Sequence, residues 1–88
     1  MILEIVATKD TVIGAFMNPF YAHNKEDAKR NWGQSIYMAA KQEDKALIIK
    51  DYQLYSLGKF NDETGEITPK VEYIAKAQDY LEIKNEEN

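Results

Sequence analysis

Three segments of this 88-residue chain carry apolar side chains on both sides of an extended backbone, while one stretch alone has a clear helical stripe. Ile2 and Val6 stand against Leu3 and Ile5, Val12 and Phe16 against Ile13 and Met17, and Leu54 and Phe60 against Tyr55 and Leu57. A single helix covers one face of a sheet. The other face of so small a sheet is then an exposed apolar patch of the kind that marks an interface. The pattern therefore predicts a homodimer formed at least partly through the sheet.

The elements follow from local signals. Residues 2–8 are β-branched and aliphatic, and Lys9-Asp10-Thr11 breaks the run with turn-compatible residues. Val12 to Met17 then reads as the return strand of a hairpin, ended by Asn18-Pro19, where the residue before proline is pushed out of helical space. Phe20 and Tyr21 precede any helix signal. Asn24 suits an N-cap, Glu26 and Asp27 suit the positive end of a helix dipole, and Ala28, Trp32, Ile36, Ala39 and Ala40 share one face. This predicts a helix over 25–41 with Trp32 in the core and Lys25, Lys29 and Arg30 off that face. Gly33 weakens it by up to about 1 kcal/mol relative to alanine.

Gln42 to Lys45 reads as a loop, and pattern alone does not assign Ala46 to Ile49. Tyr52 to Phe60 is the clearest strand. Strict alternation puts Tyr52, Leu54, Ser56, Gly58 and Phe60 on one face and Gln53, Tyr55, Leu57 and Lys59 on the other. Asn61 to Glu66 forms a hairpin turn with Gly65 in a left-handed position. Beyond it, Thr68-Pro69 resembles a helix start, with Val71, Ile74, Ala77 and Leu81 at helical spacing, whereas Val71, Tyr73 and Ala75 alternate like a strand. A strand followed by a short helix is the reading adopted. The expected fold is α+β: a small antiparallel sheet of about four strands with one main helix, in the order β-β-α-β-β. Residues 1–82 make a single domain, and 83–88 an acidic tail.

Composition limits the chemistry. A 44% hydrophobic, 30% charged chain is ordinary for a globular fold. Zero cysteines remove disulfides, thiolate nucleophiles and cysteine-based metal sites. No apolar run approaches the roughly 20 residues of a membrane span, and Met1 to Glu4 lacks the basic start of a signal peptide. The one histidine, His23, has no neighbouring ligand or nucleophile in sequence and suits a surface or capping role. The four glycines are too dispersed for a phosphate loop. Asp62, Glu63 and Glu66 do not fit a calcium loop and read as a solvated turn. The inventory predicts no enzyme, metal or cofactor.

Fifteen acidic against eleven basic residues give a net charge of −4, which disfavours a sequence-blind electrostatic grip on phosphate. A nucleic-acid role must then be local. Six of the ten aromatics are tyrosines, whose faces stack on unpaired bases while the hydroxyl stays wet. Tyr55 beside Lys59, and Phe20 or Tyr21 near Lys25, Lys29 and Arg30, have the mix that a single-strand groove uses. Lys25, Lys29, Arg30, Tyr55 and Lys59 are the candidate contacts, although core packing or a subunit interface is the commoner use of such aromatics. The acidic tail is either an idle end or one that competes with nucleic acid for a basic groove.

The stretch Asp51-Tyr52-Gln53-Leu54-Tyr55-Ser56-Leu57-Gly58-Lys59-Phe60, with Thr64-Gly65 in the turn beyond it, resembles the small nonstructural protein of gokushoviruses, microvirus-type phages with single-stranded DNA genomes. Pro19-Phe20, Asn24, Ala28 and Arg30 extend the resemblance upstream, and Trp32 departs from it where a phenylalanine is usual. The likeness covers residues 12–67 and, more loosely, Ile74 to Leu81. It implies a non-catalytic phage protein in the host bacterial cytoplasm that binds single-stranded viral DNA during replication or the switch to packaging. The alternative it leaves is an assembly factor engaging a phage replication or capsid protein. It carries over no catalytic residue; Gly58, Gly65, Leu54, Leu57 and Phe60 occupy structural positions.

Overall fold

The apolar segments pair into one antiparallel sheet in a computed structural model, which describes residues 1–42 and 45–81. Its strands are β1 (Ile2–Asp10), β2 (Ala15–Phe16), β3 (Phe20–Ala22), β4 (Tyr52–Asn61) and β5 (Ile67–Lys76). The order is β2-β1-β4-β5, with β3 also paired to β1 along the edge that β2 occupies. Helix α1 (Lys25–Ala40) and the short α2 (Lys45–Ile49) complete the α+β fold, and a helical turn follows at 78–81. The acidic tail expected at 83–88 lies outside the described residues.

Helix α1 starts where its cap dictates. The Asn24 side chain accepts a hydrogen bond from the Asp27 amide at 2.8 Å with the Asn24 backbone extended. Its stripe of Ala28, Trp32, Ile36 and Ala40 packs onto Val6, Leu54, Ala75 and Ala77, with Ile49 of α2 closing one end. The Trp32 indole N–H donates to the Thr8 hydroxyl at 2.9 Å, so the largest core side chain is also satisfied. His23 sits exposed just ahead of the cap.

Two hairpin turns share one construction. The Asn61 side chain accepts from the Glu63 and Thr64 amides, and the Gly65 amide returns to the Asn61 carbonyl at 2.8 Å with Gly65 at φ +81°. Asp10 accepts from the Val12 amide at 2.9 Å, and the Gly14 amide returns to its carbonyl at 2.8 Å with Gly14 at φ +72°. Each is a side-chain-capped loop closed by a glycine four residues on. The second turn overturns one expectation: β1 continues to Asp10, and Val12 and Ile13 are a loop tip 74% and 73% exposed, not a strand. Only Ala15–Phe16 returns alongside β1, and Phe20–Ala22, unassigned in sequence, supplies the rest of that edge as a fifth strand.

The fork after the Asn61–Gly65 turn resolves as a strand, β5. Pro69 is tolerated in β5 because β5 is an edge, and the Ala77 carbonyl then accepts from Tyr80 and Leu81 to start the turn at 78–81.

Candidate nucleic-acid interface

Strand pairing decides which side chains share a face, because directly opposed residues point to the same side of a sheet. Glu4, Val6 and Thr8 of β1, with Leu54 and Ser56 of β4 and Ala75 of β5, face α1. The opposite face is left open by every described element.

Along that open face the register places four rows. Phe16, Lys9, Gln53 and Lys76 form the first, and Ala7, Tyr55 and Tyr73 the second. Tyr21 opposes Ile5 in the third, and Leu3, Phe60 and Ile67 form the last. Rings connect the first two rows: Phe16 meets Tyr55 edge-on at 5.4 Å, and Tyr55 meets Tyr73 edge-on at 5.8 Å. The Lys9 ammonium lies 5.5 Å and 5.7 Å from the Phe16 and Tyr55 ring centres. The Tyr55 hydroxyl donates to the Gln53 side chain at 3.0 Å, which holds that ring in place.

The charge distribution on this face differs from that of the chain. By register and alternation, its strand residues include Lys9 and Lys76 and no carboxylate. Glu4 and Glu72 point to the helix side, and Asp62, Glu63 and Glu66 lie in or beside the β4–β5 turn. An acidic protein thus presents a locally cationic aromatic surface.

The structure separates the residues that the sequence grouped. Tyr55 is on the open face, but Lys59 is not. The pairing slips at Leu57, so Ile5 opposes Gly58 while Val6 opposes Ser56, and beyond this bulge Lys59 turns to the helix side and Phe60 to the open side. Gly58 permits the slip because a Cβ there would run into the Thr68 carbonyl of β5. Lys59 instead pairs at 2.8 Å with Glu4, whose other oxygen accepts from Ser56 at 2.8 Å. Glu4 is only 5% exposed. Burial opposes its charge, yet the bonds from Lys59 and Ser56, with the nearby Lys25 charge, outweigh burial and hold its carboxyl below the usual value of 4.5.

The helix cations are also engaged. Lys25 donates to Glu72 at 3.0 Å, a bond that raises the Lys25 pKa and lowers that of Glu72. Arg30 pairs with Asp27 at 3.0 Å, one turn earlier. Lys29 is exposed on α1. None of these three joins Tyr55. Phe20 opposes Val6 and so points to the helix side, whereas Tyr21 is on the open face.

Lys9, Phe16, Gln53, Tyr73 and Lys76 are the members that the sequence reading passed over. Lys9 reads as a turn residue and Lys76 falls where strand and helix patterns overlap, so their shared row emerges only once β1, β4 and β5 are aligned.

The profile of the phage ORF5 protein family matches residues 3–80, from the first strand to the turn that carries Tyr80. The chain belongs to the phage ORF5 protein family. It is therefore a phage protein, and the ORF5 match takes in both helices and the whole open face. Neither a curated protein nor a solved structure matches this ORF5 chain.

Proposed function

We propose that this ORF5 protein binds single-stranded nucleic acid, the viral DNA of a microvirus-type phage, on the open face of its sheet, without catalysing a reaction. One observation carries the reading: Phe16, Tyr55 and Tyr73 form a connected aromatic row beside Lys9 and Lys76 on a face without strand carboxylates. Sheet-borne rings are stacking platforms for unpaired bases, each base contributing about 1–3 kcal/mol. Two lysines serve to track the backbone, not to supply the bulk of the affinity. A cleft of about 430 Å³ on the helix side is lined by uncharged side chains such as Met17, Phe20, Trp32 and Ile36, away from the open face.

The test is a fluorescent oligonucleotide titration at two salt concentrations. With Lys9 and Lys76 as the phosphate contacts, the slope of log affinity on log salt is about −1.4, a loss of roughly sevenfold between 50 and 200 mM. Tyr55→Ala weakens binding by about tenfold or more, and Lys76→Ala halves the salt slope. No binding at 50 mM salt overturns the reading. The rival, an assembly factor for a phage replication or capsid protein, predicts partners retained from infected cells after nuclease treatment.

A further inference from the structure

The open face has two ends of different chemistry. One carries Lys9, Gln53 and Lys76 beside the ring row. The other has no charged strand residue on the open face, which Leu3, Ile5, Tyr21, Phe60, Ile67 and Val71 build with the Tyr21 and Phe60 rings 5.6 Å apart; the Met1 ammonium, Asp62, Glu63 and Glu66 lie beyond it at the β4–β5 turn. We propose that this uncharged patch is a homodimer interface, a second copy laying the same end against it with its strands antiparallel, so that each copy's lysine-bearing end stays open.

Three observations select a second copy as the occupant. A two-fold interface sets a patch against itself, and an uncharged patch does so without opposing like charges, which the lysine-bearing end would not. Tyr21, Ile67 and Val71 are 59%, 59% and 64% exposed. With the half-covered Leu3, Ile5 and Phe60, two such patches remove on the order of 1,000 Å² from water, the lower bound of a specific interface and the size class of weak association. Pairing through the sheet edges is blocked instead: β5 carries Pro69, Lys70 and two register slips, and the opposite edge is broken between Phe16 and Phe20.

This inference goes beyond the DNA reading and fails separately from it. Sedimentation equilibrium from about 1 to 200 μM, without nucleic acid, is the test. The wild-type chain shifts from one to two chain masses across that range. Ile67→Glu with Val71→Glu, at exposed positions, weakens dimerisation at least tenfold, as does Tyr21→Ser on a different strand, while Lys9→Gln leaves it unchanged; circular dichroism melts establish that each variant is folded. A wild-type monomer throughout, or a dimer indifferent to folded Ile67→Glu/Val71→Glu and Tyr21→Ser, overturns the proposal. Oligonucleotide binding by the monomeric variants then reports on the DNA reading alone.

Discussion

Glu4 shows how one side chain ties the sheet to the pH of its surroundings. It is a buried carboxylate held by Ser56 and Lys59, with its pKa depressed. A depressed folded value means that its stabilisation is complete above the unfolded value of 4.5 and is lost as pH falls through the lower folded one; Glu72, lowered by Lys25, acts in the same direction. Urea unfolding is therefore expected to show stability falling below pH 4.5, with a smaller fall in Glu4→Gln. Glu4→Ala destabilises at neutral pH by about 1–3 kcal/mol, because the Ser56 hydroxyl, 1% exposed, loses its acceptor. Gly33 gives a second case. Read as a helix, it is a defect worth up to about 1 kcal/mol, but the Tyr80 ring occupies the space a Cβ would need. Gly33→Ala is thus expected to destabilise, and the same change in a Tyr80→Ala background to stabilise; thermal melts of the wild type, the two single variants and the double variant read the coupling. Nothing local in the sequence reports a ring that arrives from 47 residues downstream.

Elements whose signals are local were legible. The cap and stripe of α1 gave its span to within one residue, and the alternation of Tyr52 to Phe60 gave β4 to within one. What failed was parity and turn position. The slip at Leu57 reverses every later side chain of β4, so Tyr55 and Lys59, two positions of like parity, end on opposite faces. Asp10 and Gly14 carry the same turn signal as Asn61 and Gly65, but the apolar Val12 and Ile13 between them imitated a strand. Gly58→Ala is predicted to be the most disruptive glycine substitution in the sheet. Its new methyl meets the backbone of β5, whereas one at Gly14 or Gly65 meets open space and carries only the cost of a positive φ, about 1 kcal/mol. Denaturant midpoints of the three alanine variants rank them; an unperturbed Gly58→Ala contradicts the bulge as the origin of the face reversal.

At the scale of the whole molecule, segregation of charge lets an acidic chain carry the open face proposed above for nucleic acid. The carboxylates described lie on the helix side, in turns or on helices, which leaves the open sheet face aromatic at one end, greasy at the other and cationic only at Lys9 and Lys76. The candidate face was legible only in part: tyrosine-rich composition singled out Tyr55, which lies on it, while Lys25, Lys29, Arg30 and Lys59 were grouped by adjacency in sequence and do not share its orientation. The most direct measurement is a nuclear magnetic resonance titration with a short oligothymidylate. The account predicts shifts concentrated on Lys9, Phe16, Tyr55, Tyr73 and Lys76, with the ring protons moving most. Shifts confined to Lys25, Lys29 and Arg30, or no shifts at all, would contradict it.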